Sequence, residues 1–261
     1  MANGNAQRTR ALEGQKTMLG RTMHGIDYDH LKDEIFVPQQ FGQAILVFKG
    51  DANGQEPPIR VIQGSRTQMR AMDRLTVDPY NEEIYVPEGQ NVLVFDSNAS
   101  GNVSPKRVLG GPNTGFTAAA SIGVDHRRNL IVIASHLAGE GRQGDARMVV
   151  FDRTARGDAK PLRIIGGPNS RLDSIGNVRV DPDRGLIFVV QQTAGYIGVW
   201  GIDARGDVPP KFTVGGPNGL LQKPRGLDID PEHNAVIVSD KGLNAVLTYE
   251  IPEIFQSTAK K

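Results

Sequence analysis

The chain has 261 residues, 30 of them basic and 29 acidic, which leaves a formal net charge of +1, and it contains no cysteine. This balance argues against a nucleic-acid-binding protein, and the lack of cysteine excludes disulfides, thiolate catalysis and cysteine-ligated zinc. The longest apolar stretches have the length of a strand, so no transmembrane helix is expected. The start of the chain has no apolar signal-peptide core. We therefore expect a cytoplasmic protein, or a periplasmic or extracellular one if a signal peptide has been removed.

One pattern occurs five times along the chain. Each copy ends an alternating strand with an aspartate, and successive aspartates are 49, 47, 56 and 49 residues apart. A period near fifty with several strands per copy is typical of a β-propeller, because a lone four-stranded sheet cannot bury both faces. We predict an all-β, single-domain propeller over 1–261, with five blades of four antiparallel strands. The predicted blades are 25–64, 75–111, 122–167, 178–216, and 227–250 together with 8–14; the repeat aspartates are Asp29, Asp78, Asp125, Asp181 and Asp230.

Within each copy the order of elements is the same. A polar turn follows the aspartate, and we expect the aspartate side chain to hold that turn through an Asx-type hydrogen bond. The second strand begins at a fixed offset, and the third ends on an aromatic residue that should fill the wedge between blades. A Gly- and Pro-rich turn then leads to an outer strand. The aromatic residues are Phe48, Phe95, Phe151, Trp200 and Tyr249.

The fifth copy has no sequence for an outer strand after Tyr249. Residues 9–17, TRALEGQKT, align instead with residues 59–67, IRVIQGSRT, which form the outer strand of the first copy. We therefore predict that residues 8–14 complete the last blade and close the ring.

The repeats resemble the NHL and YVTN class of bacterial propeller repeats. The resemblance lies in VDPYNEEIYVPEGQNVLVFD at 77–96 and in P-x-R-[VI]-[LI]-G-G-P-N at 105–113 and 161–169, and it extends from residue 9 to residue 249. It implies a propeller, usually of six or seven blades, so five copies depart from the family habit. The matching N-terminal strand favours a true five-bladed ring over a shortened relative.

The loops that lead into the innermost strand, and those that join the second and third strands, should lie on one face around the channel. Their residues differ in charge and size from copy to copy, whereas the strand interiors repeat. This contrast predicts an asymmetric mouth that holds a small polar or anionic ligand; ordinary solvated side chains are the alternative. The candidates are His24, Gln39, Asp73, Arg74, Glu88, His136, Asn177, Gln192, Arg225, Asp240 and Lys241.

A metal site is a weaker interpretation of the same face. No two candidates have the close sequence spacing of metal ligands, so their meeting depends on the fold. The chain can be compared with gluconolactonase-like propellers, which hold a metal through Glu, Asn and Asp from different blades; this comparison implies Glu88, Asn177 and Asp240, with Ca²⁺ or Zn²⁺ as the ion. Asp73 or His24 would then act as a base.

The other histidines and the insertion in the third copy give less specific predictions about function. We expect the other histidines, at positions 30, 126 and 233, to be solvated turn residues on the opposite face. The third copy carries an insertion between His136 and Arg147. This insertion is either a lid or partner-binding loop, with Glu140, Arg142 and Asp145 as its contacts, or a tolerated flexible insertion.

Three functions remain open at this point. The first is a non-enzymatic binding or interaction propeller that recognises a small polar ligand or a protein partner. The second is a metal-dependent lactonase or related hydrolase, and the third is a purely structural scaffold. The sequence does not indicate an oligomeric state.

Overall fold

The structure, a computed structural model, describes residues 4, 7–21, 23–136 and 146–256, with residue 136 described by its backbone alone. The predicted contacts of the third-copy insertion, Glu140, Arg142 and Asp145, lie outside these residues. No helix in the described ranges has the length and apolar character needed to cross a membrane.

The strands form five antiparallel sheets, each an up-and-down meander that begins at its inner strand. Four sheets have four strands and the fifth has three. Blade 1 contains β1 (Asp27–Asp29), β2 (Glu34–Gln39), β3 (Ala44–Lys49) and β4 (Arg60–Gln63), and blade 2 contains β5 (Thr76–Asp78), β6 (Glu83–Glu88), β7 (Asn91–Asp96) and β8 (Arg107–Gly110). Blade 3 contains β9 (Ala118–Asp125), β10 (Leu130–His136), β11 (Ala146–Asp152) and β12 (Arg163–Gly166), and blade 4 contains β13 (Ile175–Asp181), β14 (Leu186–Gln191), β15 (Tyr196–Gly201) and β16 (Phe212–Gly215). Blade 5 contains β17 (Pro224–Asp230), β18 (Ala235–Asp240) and β19 (Ala245–Glu250), followed by the short helix α1 (Pro252–Gln256); short 3-10 turns lie at Gln15–Thr17, Ser65–Thr67, Pro112–Thr114 and Pro168–Ser170. The predicted five-bladed propeller is confirmed.

The blades are held together by apolar clusters between neighbouring sheets, because both faces of each central strand carry apolar residues. Phe95 packs between blades 1 and 2, Phe151 between blades 2 and 3, Trp200 between blades 3 and 4, and Tyr249 against the cluster between blades 4 and 5. The wedge role predicted for these aromatics is confirmed. Phe48 differs, because its cluster joins blade 1 to the N-terminal segment and contains no residue of blade 5.

The repeat aspartates act as predicted. In each copy an Oδ1 atom accepts a hydrogen bond from a backbone N–H two or three residues later, as when Asp29 accepts from Leu31 at 2.9 Å and Lys32 at 3.0 Å. The other four repeat aspartates accept the same kind of hydrogen bond from the backbone of their turns. Their recurrence is therefore architectural.

A charged cluster in blade 2 links it to blade 3. Glu83 is almost fully buried and accepts two hydrogen bonds from Arg107, at 2.6 and 2.7 Å, and a third from Arg153 at 2.6 Å. The hydroxyl of Tyr85 donates a fourth, at 2.7 Å. Burial alone would raise the pKa of Glu83, but these hydrogen bonds and the two guanidinium charges lower it to about 2.

The outer strands of blades 1 to 3 also contact the next blade at a glycine. Ile62 bridges Gly101, and the outer strands of blades 2 and 3 make the same parallel bridge to blades 3 and 4. At Gly101 the backbone has φ 76°, a conformation that favours glycine. Leu12 makes the corresponding bridge to Gly54 of blade 1.

Residues 8–14 make to blade 1 the bridge that the outer strands of blades 1 to 3 make to the next blade, as a strand closing the last blade would, and among the described residues they do not pair with β19. The N–H of Glu13 donates to the Gly54 carbonyl at 2.9 Å, and the N–H of Gly54 donates to the Ala11 carbonyl at 2.7 Å. Among the described residues the fifth sheet ends at β19, which does not pair with this segment. The segment thus lies against blade 1 where an outer strand would lie, and a cavity separates Leu12 from Val246 of β19.

Candidate functional site

A chain of charged side chains crosses one mouth of the channel. His24 leads into β1, Asp73 leads into β5, and Arg225 lies at the start of β17. The His24 Nδ1 atom contacts one oxygen of Asp73, and Arg225 lies 3.6 Å from the other oxygen. Asp73 therefore joins blades 1, 2 and 5, and the structure brings these three predicted residues together.

Arg74, the next residue, points into the protein instead. Its side chain is buried and donates a hydrogen bond to the carbonyl oxygen of Gly176 in β13, across the channel. Burial lowers the pKa of Arg74; Asp73 opposes this effect, while the nearby Arg225 and Arg179 add to it. The positive charge of Arg74 is thus only partly compensated.

Asn177 lies near this mouth and is held by its neighbour in blade 3. The Ser121 hydroxyl donates to Asn177 Oδ1 at 3.0 Å and accepts from the N–H of Val178 at 3.1 Å. Both polar side chains line the same cavity as His24 and Arg74.

Deeper in the channel lies an ion-pair network that the sequence interpretation missed. Arg179 of β13 is 3.3 Å from Asp27 of β1 and 3.3 Å from Asp228 of β17. Burial raises the pKa of Asp27 against the opposing charge of Arg179. Both aspartates and the arginine stand two residues before a repeat aspartate, so strand alternation could have located them on the channel wall.

The candidates at the end of the second strand have a different role. Glu88 accepts hydrogen bonds from the N–H groups of Arg70 and Ala71, at 2.9 and 3.0 Å. Asp240 accepts from the N–H of Gln222 at 2.7 Å and from the N–H of Lys223 at 3.0 Å. Burial alone would raise the pKa of Asp240, but the hydrogen bonds from backbone N–H groups together lower it. These carboxylates hold the loop that leads into the inner strand of their own blade.

The other second-strand candidates are also engaged locally. Gln39 accepts from the N–H of Gly42 at 2.5 Å, and the Gln192 amide donates to Ile175 at 3.5 Å. The backbone N–H of Lys241 donates to Lys223 at 3.0 Å, whereas the side chain of His136 lies outside the described residues. None of these contacts reaches the His24–Asp73–Arg225 chain.

The geometry does not favour the metal set Glu88, Asn177 and Asp240. The two carboxylates are committed to backbone donors in blades 2 and 5, and Asn177 is bonded to Ser121. Across the described ranges no three His, Asp or Glu side chains gather as metal ligands do. The sequence pattern did not distinguish loop-holding carboxylates from free ones because both are polar residues at a strand end.

The histidines on the opposite face lie in turns, with His30 and His233 exposed as predicted, and each also contacts a neighbouring side chain. The His126 ring stacks on Tyr80 at 3.8 Å between ring centroids, and His30 meets the same tyrosine edge-on at 5.7 Å. His233 contacts the carboxylate of Asp230 at 2.8 Å.

A cavity of about 610 Å³ connects this mouth to the space between blades 1 and 5. His24, Arg74 and Asn177 lie at its polar end, and Leu12, Leu19, Met23, Val37, Ile237 and Val246 are among the apolar residues that line the rest.

Comparison with known proteins identifies the fold and nothing finer. A chain of the crystal structure of the mitotic checkpoint complex superposes with a TM-score of 0.62 at 11% sequence identity, over 99% of this chain and 71% of that one. This likeness is to a propeller. No protein-family model and no curated protein matches the sequence, so membership of the NHL and YVTN class stays a prediction. Since 1260 solved chains share the likeness, fold alone does not select a function.

Proposed function

We propose that this protein is a non-enzymatic binding propeller whose channel mouth recognises an anionic group, a carboxylate, on a protein partner or a small polar molecule. The observation that carries the proposal is the presence of two arginines at a mouth with one nearby carboxylate: Arg225 lies 3.6 Å from Asp73, and the buried Arg74 donates to the carbonyl oxygen of Gly176.

Electrostatics supports an anionic ligand at this point. Asp73 is shared between Arg225 and His24, and the buried Arg74 has a carbonyl oxygen as its hydrogen-bond acceptor. An arriving carboxylate would offset the positive charge that Asp73 compensates only in part, and guanidinium groups bind carboxylates through paired, directional hydrogen bonds.

Two further observations favour binding over catalysis. The polar side chains of the mouth hold one another or the backbone, and the described residues contain no group of three His, Asp or Glu side chains placed to hold a metal. The structural neighbour belongs to a protein complex, which supports a protein as the bearer of the anionic group.

The test measures the thermal unfolding midpoint as citrate, a tricarboxylate probe, is titrated at constant ionic strength. A ligand of the folded state raises the midpoint by mass action, because it adds about 1.4 kcal/mol to the free energy of unfolding at ten times its dissociation constant. We expect Arg225→Gln to abolish this saturable shift. Arg205→Gln, which removes the same charge from an exposed turn of blade 4, should retain it.

An equal citrate shift in Arg225→Gln and Arg205→Gln would show that the effect is general salt stabilisation and would overturn the proposal. Because Arg225 is partly exposed, its replacement should leave the fold intact, and circular dichroism checks this.

A further inference from the structure

The two faces of the propeller carry different charge. In each meander, the loop into the first strand and the turn between the second and third strands lie at one end of the sheet, and the other connections lie at the opposite end. The first end surrounds the channel mouth at Asp73, and we call it the mouth face. Its described connections are 14–21, 23–26, 40–43, 64–75, 89–90, 111–117, 167–174, 192–195, 216–223 and 241–244.

These connections contain far more basic than acidic side chains. Within the described ranges their acidic residues are Asp73 and Asp173 alone. The chain as a whole has a formal net charge of +1, so the positive excess belongs to this face and is offset elsewhere. The eight basic residues are Lys16, Arg21, Arg66, Arg70, Arg74, Arg171, Lys223 and Lys241.

The same eight residues also lack carboxylate partners. In the described part of the chain none of them forms an ion pair, and the ion pairs in the loops of this face both use Asp73. On the opposite face, by contrast, Lys32 pairs with Glu82 at 2.7 Å and Arg184 pairs with Asp181 at 2.9 Å. Unpaired like charges on one face repel one another, and an acidic partner would remove that repulsion.

The backbone holds some of these basic residues in place while their side chains stay exposed. The N–H of Arg66 donates to Asn102 Oδ1 at 2.7 Å, and the N–H of Arg70 donates to Glu88 Oε2 at 2.9 Å. Both arginine side chains are nevertheless exposed. Because the loops are already fixed, binding through these side chains orders less of the chain and costs less entropy.

Exposed apolar side chains lie among the charges. Phe41 is 75% exposed, Leu220 is 71% exposed and Met18 is 45% exposed, and all three belong to connections of the mouth face. The turn of Phe41 touches a basic loop, since the Gln43 amide donates to the Arg70 carbonyl at 3.2 Å. Aromatic, methionine and arginine side chains are enriched in protein–protein interfaces. The surface therefore fits a protein segment better than a nucleic acid.

We propose that the mouth face docks an acidic segment of a protein partner, whose Asp and Glu side chains pair with the unpaired arginines and lysines around the channel. This inference rests on the proposed function and deepens it. It makes a protein the bearer of the carboxylate and extends the contact from the mouth to the surrounding loops. Complementary charge of this kind speeds association and fixes the orientation of the partner.

The experiment measures binding of a fluorescent acidic peptide, EELEELEE, to the full chain by fluorescence anisotropy. We expect saturable binding that weakens as salt is added, because salt screens exposed charges. The double variant Arg66→Gln/Arg70→Gln should weaken binding by about tenfold, since each exposed ion pair is worth about two- to fivefold.

The repeat supplies a matched control on the opposite face. Arg156 and Arg205 stand at equivalent positions of blades 3 and 4, and both are exposed and without an ion pair in the described structure. Arg156→Gln/Arg205→Gln removes the same charge and should bind the peptide like the wild type. Equal weakening in the two double variants would show that only net charge matters and would overturn the proposal, as would the absence of saturable binding at low salt.

Two further probes identify the class of partner. The neutral peptide QQLQQLQQ should not bind, and binding equal to that of the acidic peptide would contradict the role of charge. An RNA of eight nucleotides that binds more tightly than the acidic peptide at the same salt would assign the face to nucleic acid and overturn the proposal.

Failure of this inference and failure of the proposed function give different results. A saturable citrate shift that depends on Arg225, without binding of the acidic peptide, would retain the carboxylate site at the mouth and overturn the acidic-segment interface. Peptide binding that the Arg66→Gln/Arg70→Gln variant weakens, without a citrate shift, would retain the interface and overturn the site at the mouth. Circular dichroism checks that each variant is folded.

Discussion

Replacing Glu83 by glutamine should be among the most destabilising charge changes in the protein. The substitution keeps the size of the side chain but removes the negative charge that Arg107 and Arg153 share. Those guanidinium groups are only 11% and 15% exposed, so both would remain partly buried without a counter-charge.

The expected magnitude follows from the pKa of Glu83, which is lowered from 4.5 to about 2. At 1.36 kcal/mol per pKa unit this corresponds to roughly 3 kcal/mol of folding free energy, at the lower end of the cost of breaking a buried ion pair. Because the folded-state pKa is the lower one, this stability is fully present above pH 4.5 and is lost as the pH falls towards 2.

Urea unfolding monitored by circular dichroism measures the effect. The repeat supplies a matched control, Glu34→Gln, since Glu34 binds Arg60 through two bonds of 2.7 and 2.6 Å but has no second arginine. We expect a cost of roughly 3 kcal/mol for Glu83→Gln at pH 7 and about half of that for Glu34→Gln. The wild type should also lose more stability than Glu83→Gln between pH 5 and pH 2.5. Equal costs for the two variants, or parallel pH profiles, would refute the reasoning.

Three further outcomes are expected. Asp125→Ala should cost about 2 kcal/mol in urea unfolding and Asp230→Ala less than 1, because the first side chain is fully buried and also binds Arg128 while the second is 35% exposed. Ile45→Ala should cost roughly 2 to 5 kcal/mol, whereas Val246→Ala at the same repeat position should cost less than about 0.5; a large cost for the latter would mean that β19 is covered in solution. EDTA should leave the thermal midpoint unchanged, because the candidate carboxylates are held by backbone donors, and a fall that Ca²⁺ or Zn²⁺ reverses would favour the metal-dependent hydrolase.

Repetition explains which features of the site could be predicted. His24, Asp73 and Arg225 are variable residues in otherwise repeating loops, and they meet at the mouth. Glu88 and Asp240 carried the same signal, yet they hold their own loops. A variable polar residue shows only that the repeated architecture does not require one residue type at that position. Its hydrogen-bond partners depend on the paths of the loops, which sequence spacing does not determine.

The propeller, the number of blades, the Asx turns and the aromatic wedges can be predicted from the amino-acid sequence, because these are short-range patterns repeated five times. The path of Arg74 across the channel to Gly176, the contacts of Arg179 with Asp27 and Asp228, and the cavity beside Val246 cannot be predicted in this way. These contacts join residues far apart in the chain. Their distances depend on how five blades are placed around one axis, which the repeat pattern does not encode.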